Sequence, residues 1–321
     1  MKKIWQFGLS TGLAALLLAG CGEEAAPAQE EKAPEETPAA GEAEFPVTLT
    51  DAADKEVVIE EEPKAIVSMM PSNTEIVYEL GIGDKMVGAS DYDNYPEEAA
   101  KVEKIGGLEF NVEKIISLSP DVVLAHEGIL GVGEAGLQQL RDAGIPVVVI
   151  ANADNFEELY STIEMVGQAT GKAQEADELV QEMEEGLDSI KEKAAAAEPK
   201  KVLVEVGPDP EIYTAGNNTF MNEMLTWINA ENAAADLEGW AAISAEEILS
   251  KNPDVIVTTY GYYVENAEEQ VKGRPGFGEV NAVKNGEVID IDSDMVTRAG
   301  PRIVQGVEEL AKAVYPEIFA Q

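Results

Sequence analysis

Short apolar runs alternate with amphipathic stretches over most of the chain, which is the pattern of an α/β protein. Two β-rich runs, 47–50 and 57–59, flank a polar turn at 51–54 and predict a hairpin. From Pro63 onward, four buried strands are expected, at 65–69, 86–89, 122–125 and 147–150. Helical segments separate them, and this alternation predicts a parallel sheet covered by helices.

An internal repeat relates the two halves of the chain. Residues 113–125 read EKIISLSPDVVLA, and residues 246–258 read EEILSKNPDVIVT. Asn111 and Ser244 precede these segments at the same offset, and both residue types are good helix N-caps. The repeat predicts a helix, a Pro-Asp turn and a strand in each half, and therefore two lobes of one design. A chance similarity between common α/β connections is the alternative.

The segment 155–197, between the two halves, has the composition of helices. Gly171 divides it in two, and the second helix is expected from about Lys172 to Ala197, with Pro199 ending it. The second half then offers strands at 202–206, 255–257 and 288–291 and a last helix at 303–314. The predicted domains are a first lobe at 45–170, a rigid linking helix at 171–198 and a second lobe at 199–321.

The N-terminus has the features of a secretion signal, with two lysines, an apolar stretch at 4–18 and small residues before Cys21. The run Leu18-Ala19-Gly20-Cys21 resembles the bacterial lipobox, which implies removal of residues 1–20, a diacylglycerol on the Cys21 sulfur and acylation of the new amino end. Residues 21–44 are then the lipidated cysteine and an acidic disordered tether. We expect a lipid-anchored protein on the extracytoplasmic face of the cell membrane. An ordinary signal peptide with an incidental cysteine is the alternative.

The chain is strongly acidic, with 62 Asp and Glu against 22 Lys and Arg and a formal net charge of −40. A hydrophobic content of 45% still supports a packed core. The scarcity of basic residues argues against nucleic-acid binding, because phosphate affinity comes from clustered Lys and Arg. A single cysteine excludes an intrachain disulfide and cysteine-based zinc or redox sites. We expect a monomer with a solvated acidic surface.

Two features of the sequence suggest cofactor or catalytic chemistry, but the details of each argue against it. Residues 131–136 read GVGEAG and match the dinucleotide pattern GxGxxG, but they do not follow the strand directly and they include Glu134. We expect a flexible loop there, at a lobe surface. His126, the sole histidine, follows a strand, where a ligand contact or a plain surface position is favoured over catalysis. It could be an axial metal ligand, but one histidine supplies no metal cage, and no metal site is expected.

Aromatic residues make up 6% of the chain but collect near strand ends. They are Tyr92, Tyr95, Phe110, Tyr213, Trp240, Tyr260, Tyr262 and Tyr263. Clefts for large flat ligands are lined by such rings with a few polar groups, so they point to a groove shared by the two lobes. A lipid-anchored hydrolase would need a nucleophile beside His126, and none is evident. An adhesin would not require two duplicated lobes. We therefore expect a binding protein and not an enzyme.

From about Val47 to the C-terminus, the sequence resembles the substrate-binding lipoproteins of ABC importers for cobalamin, haem and ferric siderophores. The segments most similar to the cobalamin-binding branch are VSMMPSNTE at 67–75, VGASDYDNYP at 87–96, Trp240 and SDMVTRAGPR at 293–302. The resemblance implies two Rossmann-like lobes, one long rigid helix joining them and a ligand cleft between the lobes.

The resemblance also implies roles for individual residues. Ligand contacts are expected at Tyr92, Tyr213, Trp240, Asp294 and Arg298. Phe110 and His126 lie where relatives carry other aromatic residues of the cleft, so they complete the expected ligand-binding set. Glu113 and Glu246, one in each lobe, are expected to pair with arginines of a dimeric permease that works with ATPase subunits.

The implied ligand is carried and is not a covalent cofactor. A corrin ring is wide, amphipathic and nearly neutral, which suits Tyr and Trp stacking with a few hydrogen bonds. Anionic ferric siderophores or haem propionates would favour a more basic cleft, and the chain has only four arginines. Cobalamin is therefore the favoured ligand, with haem or a ferric siderophore as the alternative.

Overall fold

The computed structural model describes residues 45–319. The expected signal peptide, Cys21 and the expected tether lie outside the described residues. The described part opens with the expected hairpin, in which β1 (Val47–Thr50) pairs antiparallel with β2 (Glu56–Ile59). Leu49, Val57 and Ile59 are buried, so one face of the hairpin covers the core.

A four-stranded parallel sheet with its helices follows, and we call this part with the hairpin the first lobe. Its elements are β3 (Ile66–Ser68), α1 (Pro71–Glu79), β4 (Met86–Gly88), α2 (Val112–Ser117), β5 (Val122–His126), α3 (Leu130–Asp142) and β6 (Val147–Ile150). The strand order is β4-β3-β5-β6, and every pairing is parallel. The strands are almost fully buried, as expected when helices cover both faces.

Two helices lead away from this sheet. The first, α4 (Phe156–Thr170), ends where Gly171 adopts a φ of 76°, a left-handed conformation that favours glycine. The second, α5 (Ala173–Ala194), is about 33 Å long at 1.5 Å per residue. It ends before Pro199, as expected, and packs against α4 and against helices of the second lobe. Its role as a rigid link stays a prediction.

The remaining elements form the second lobe. They are β7 (Lys201–Gly207), β8 (Tyr213–Ala215), α6 (Phe220–Trp227), β9 (Glu231–Asn232), β10 (Trp240–Ala242), α7 (Ala245–Lys251), β11 (Val255–Thr258), α8 (Ala267–Lys272), α9 (Asn281–Asn285), β12 (Val288–Asp290), α10 (Ser293–Thr297), α11 (Ile303–Val314) and α12 (Pro316–Phe319). The sheet order is β10-β8-β7-β11-β12, with β9 added beside β7. Strands β7, β11 and β12 are parallel, whereas β8 and β10 run antiparallel to their neighbours.

Both copies of the sequence repeat fold in the same way. Asn111 caps α2 by accepting the N–H of Lys114 at 2.9 Å, and Ser244 caps α7 within a capping box. The aspartate of each Pro-Asp turn fixes the start of the neighbouring strand. Asp121 accepts the N–H of Ala65 at 3.0 Å, and Asp254 accepts the N–H of Lys201 at 3.1 Å.

The two lobes share one hydrophobic core in addition to a smaller core in each. The ring of Phe156, at the start of α4, packs against two rings of the second lobe. Its centroid lies 4.7 Å from that of Phe220 and 5.6 Å from that of Trp227. The buried members of all three cores fall between Leu49 and Phe319, so residues 45–319 carry the hydrophobic core of the described part of the chain. None of the described helices is long and apolar enough to cross a bilayer.

The expectation of a flexible loop at the GxGxxG match is wrong. Residues 131–136 lie inside α3, and a Cβ at Gly133 or Gly136 would come within 2.8 Å of the Phe110 ring. The glycines therefore make room for an aromatic side chain that packs across the helix, and they do not form a phosphate-binding turn. The sequence match reflects a packing requirement between α3 and the segment before α2.

Candidate ligand-binding cavity

A cavity of about 390 Å³ lies between the lobes, within the size range of small-molecule sites. The first lobe contributes residues 70–72, His126 and 152–154. The second lobe contributes Phe220, Trp240, Asp294, 296–299 and Ile303. The first-lobe residues follow β3, β5 and β6, so the cavity opens at the carboxyl ends of parallel strands, where ligands bind in open α/β sheets.

His126 ends β5 on the cavity wall and is half-buried. Its Nδ1 accepts the backbone N–H of Gly128 at 3.1 Å, so Nδ1 carries no proton and the neutral ring is protonated at Nε2. Burial lowers the pKa of His126, against a smaller raising effect from the nearby Glu127 carboxylate. The ring is therefore a neutral N–H donor, and coordination of a metal by Nε2 would require loss of the bond to Gly128.

Two exposed rings share one face of the β8–β10 ladder. Trp240 lies opposite Ala215, and Tyr213 lies opposite Ala242, which makes the two rings diagonal neighbours. Trp240 is 49% exposed and lines the cavity, and Tyr213 is 44% exposed. Exposed aromatic side chains at neighbouring positions form a surface on which a flat ligand can stack.

A compact charged cluster crosses between the lobes at the cavity. Arg298 on the cavity wall donates from Nη1 to Glu75 Oε1 at 2.7 Å. Arg302 donates from Nη2 to Glu75 Oε1 at 2.7 Å and from Nε to Oε2 at 2.9 Å, and this bonding raises the pKa of Arg302. Asp294 pairs with Arg298 at 3.0 Å and accepts from Asn94 at 2.7 Å.

The segment after β4 brings first-lobe residues to this cluster. Lys104 holds the segment by donating to the carbonyl oxygens of Ser90 and Asp93, both at 2.9 Å. The Tyr95 ring lies 4.0 Å from the Arg302 guanidinium, within the range of a cation–π contact. Tyr92 is 58% exposed, its ring rests on Gly107, and it is not part of the cavity wall.

The structure thus brings together four of the seven expected ligand residues: His126, Trp240, Asp294 and Arg298 line the cavity. Tyr213 extends the same surface from the neighbouring strand. Phe110 is half-buried against the α3 glycines, away from the cavity wall. Among the rings near β11, Tyr260 is buried and donates to Glu205, so it is a core residue, whereas Tyr262 and Tyr263 are exposed.

Sequence reasoning missed Glu75 and Asn94 as members of the site. Both belong to segments that resemble the cobalamin-binding branch, but Glu75 reads as an ordinary residue of a helix start. The available signal was its position beside Ile76 and Val77, since a carboxylate on a buried helix face requires a partner. Among the described residues, no group of three or more His, Cys, Asp and Glu side chains is placed to hold a metal ion.

The expected permease-docking glutamates occupy equivalent positions. Glu113 is the second residue of α2, and Glu246 is the second residue of α7. Both side chains are exposed, one on each lobe, where a carboxylate also complements the helix dipole. The positions are suited to a partner with two equivalent subunits.

Two α/β lobes with mostly parallel sheets and a cavity between them are typical of solute-binding proteins. The chain belongs to the periplasmic binding protein family, whose sequence profile matches residues 66–295. The uncharacterized ABC transporter substrate-binding lipoprotein YvrC of Bacillus subtilis is 50% identical over 324 residues, with full coverage of both chains. The vitamin B12-binding protein of Yersinia pestis is 29% identical over 249 residues, covering 77% of this chain and 85% of that protein.

Solved structures agree on the fold. A possible iron-binding (periplasmic solute-binding) protein from Staphylococcus epidermidis is 38% identical, with a TM-score of 0.74 over 79% of this chain and 100% of that chain. The periplasmic heme-binding protein RhuT from Roseiflexus is 28% identical, with a TM-score of 0.71 over 79% of this chain and 98% of that chain. The two-lobe fold expected from the sequence is therefore confirmed.

Proposed function

We propose that this chain is the substrate-binding protein of an ABC importer and that its ligand is a cobalamin. The observation that carries the ligand assignment is the cavity wall, which joins exposed aromatic rings to charges that already compensate one another. Trp240 and Tyr213 offer stacking surface, while Arg298 is paired with Glu75 and Asp294. Such a wall suits a wide, nearly neutral, amphipathic ring system.

The state of His126 supports the same assignment. A neutral Nε2–H can donate to an amide or phosphate oxygen at the rim of a corrinoid. Axial coordination of haem iron would need the other tautomer, because Nδ1 already accepts from Gly128. Haem or a ferric siderophore remains the second candidate, and it is favoured by the resemblance to the possible iron-binding protein of Staphylococcus epidermidis at 38% identity.

Parallel titration of residues 45–321 with cyanocobalamin, haemin and a ferric siderophore tests the ligand. We expect cyanocobalamin to bind at micromolar concentration or tighter by calorimetry and to quench tryptophan fluorescence. The segment contains two tryptophans, Trp227 and Trp240, so the Trp240→Phe variant should lose most of the quenching while Trp227 still emits. Binding of haemin or the siderophore without cobalamin binding would reverse the assignment.

The proposed importer contact uses Glu113 and Glu246 against a dimeric permease with its ATPase subunits. Replacing both by Ala should abolish uptake and leave ligand affinity intact, because the two glutamates are outside the cavity wall. The variant with Glu182→Ala and Glu192→Ala, two exposed glutamates of α5, removes the same charge elsewhere and should transport normally. A loss of ligand affinity in the first variant would place these residues in the ligand site.

The proposed location is the extracytoplasmic face of the cell membrane, with Cys21 carrying the lipid. The lipoprotein YvrC, similar over its full length, supports this anchor. At least two acyl chains are needed for stable anchoring, so a lipidated and acylated Cys21 would suffice. Cys21→Ala should move the protein from the membrane fraction to the soluble fraction, and unchanged membrane retention would contradict the assignment.

A further inference from the structure

One buried carboxylate holds two arginines at one side of the cavity. Glu75 is 2% exposed and belongs to α1 of the first lobe, yet its hydrogen-bond partners Arg298 and Arg302 belong to the second lobe. Both Glu75 oxygens are used, at 2.7–2.9 Å. A carboxylate so deeply buried persists only with such partners, because an unpaired buried charge is strongly unfavourable.

The formal charges of the groups in this cluster cancel one another. Two cations, Arg298 and Arg302, meet two anions, Glu75 and Asp294, and the neutral side chains of Asn94 and Tyr95 complete the contacts. The sum of the formal charges is therefore zero. Without Glu75, the same residues would present a net positive charge beside the cavity, through guanidinium groups whose planar donors suit carboxylates and phosphates.

We propose that Glu75 determines the charge selectivity of the cavity by holding Arg298 and Arg302, so that the site rejects anionic ligands and accepts ligands without net negative charge at this wall. This inference rests on the proposed function, because it takes the cavity as the ligand site. It adds a specificity-determining residue that lies behind the wall and acts through Arg298, the arginine on the wall itself.

A merely structural role for Glu75 gives a different expectation. Its contacts join α1 to the segment after α10, so loss of the carboxylate could also loosen the two lobes. Loosening would weaken the binding of every ligand together. Charge selection instead changes anionic and neutral ligands in different ways, and only the electrostatic part weakens with salt.

The test compares cyanocobalamin, haemin and an iron(III) tricatecholate against residues 45–321 at low and high salt. In Glu75→Gln we expect the affinity for the two anionic ligands to rise about tenfold at low salt, and cobalamin affinity to change by less than about threefold. The matched control is Glu79→Gln, which makes the same chemical change at an exposed position one turn later in α1 and should behave as the wild type.

A compensating variant separates charge from geometry. Glu75→Gln with Arg302→Gln removes one anion and one cation, so the cluster returns to zero net charge and the gain in anion affinity should disappear. Asp294→Asn adds the same unit of positive charge at a more exposed side chain, so it tests the charge argument even if Glu75→Gln fails to fold. It should also strengthen anion binding.

The outcomes are distinct. Unchanged or weaker anion binding in Glu75→Gln and in Asp294→Asn overturns the role of Glu75 in charge selection. Persistence of the gain in the compensating variant overturns it as well, because the anion affinity would then not follow the net charge of the cluster. If the wild type fails to bind cobalamin but binds an anionic ligand, the proposed ligand fails. A further gain of anion affinity in Glu75→Gln would then still support the effect of Glu75 on charge selection, and the absence of a gain would overturn it.

Discussion

Gly306 in α11 permits the close packing on which the ligand segment depends. Helix α10 crosses this glycine so closely that a Cβ at position 306 would lie 2.0 Å from the Met295 carbonyl oxygen and 2.7 Å from its carbon. The obstructing atoms are backbone, so no side-chain rotation can relieve the overlap. Gly306→Ala must therefore move α10, which carries Asp294 and leads into Arg298.

The size of the displacement follows from the contact distance. Carbon and oxygen approach to about 3.3 Å, so the two helices must separate by roughly 1.3 Å near residue 306. If α10 takes up this shift, the 2.7 Å bonds from Arg298 to Glu75 and from Asn94 to Asp294 lengthen beyond hydrogen-bond range. We expect ligand affinity to fall by about tenfold or more, because Asp294 and Arg298 would be displaced from their places on the cavity wall.

Global stability should change less than affinity. Overpacking costs about 1–3 kcal/mol, and the gain in helix propensity from Gly to Ala offsets about 1 kcal/mol of that cost. Calorimetric titration with the ligand and a thermal melt measure the two effects separately. Gly131→Ala in α3 is the control, because its Cβ would meet no heavy atom within 4 Å. Wild-type affinity in Gly306→Ala would refute the reasoning.

Two further predictions concern buried groups. Long-range ¹H–¹⁵N spectra of untagged protein should show the Nε2-protonated tautomer of His126 and a titration midpoint below 6.5, whereas a midpoint above 6.5 would contradict its burial. Because the pKa of His126 is lower in the folded than in the unfolded protein, its contribution to the free energy of unfolding should be full above pH 6.5 and should decline as the pH falls toward the folded pKa. The His126→Gln variant should lack this pH dependence in urea melts. Glu205→Gln should lower the free energy of unfolding by about 3–5 kcal/mol, because Arg274 would remain as an unpaired buried charge. Arg274 is bonded to Glu205 at 2.7 Å and 2.9 Å. A change below about 1 kcal/mol would argue against this role.

Local pattern predicts the elements of this fold well because their signals are local. The apolar run 255–257 becomes β11, and the amphipathic run 303–314 becomes α11 with the same bounds. The repeat also carries over, since N-caps and Pro-Asp turns act within a few residues of the helix or strand that they define. These predictions needed no knowledge of distant contacts.

The GxGxxG match failed for a tertiary reason. A glycine can serve a turn, a phosphate or a neighbouring side chain, and residues 131–136 alone do not distinguish these uses. The Phe110 ring, more than twenty residues away, decides between them by packing across Gly133 and Gly136. The same contact accounts for the place of Phe110 outside the cavity wall.

The residues of the candidate site also fall into those that have a local sequence signal and those that have none. Aromatic and charged residues near strand ends pointed to His126, Trp240, Asp294 and Arg298, because loops at the carboxyl ends of parallel strands meet in one region. The pairing of Arg298 with Glu75 spans 223 residues of sequence and has no local signal. The low number of arginines predicted a weakly basic cleft. The structure gives a different reason for the low positive charge, because Glu75 and Asp294 neutralise Arg298 and Arg302.

Two of the connections between the lobes in the described part of the chain bear on how a ligand is selected. On one side, Phe156 packs into the second lobe within a continuous core, and on the other, Glu75 ties α1 to Arg298 and Arg302 at the cavity. Lobes held at both places cannot separate without exposing apolar surface and a buried carboxylate, both of which oppose wide opening. Selection then depends on the shape of the cavity and on the charges at its wall. The chain is acidic, so its surface already repels anions at long range. The cluster around Glu75, with no net formal charge, extends this discrimination against anions to the cavity wall.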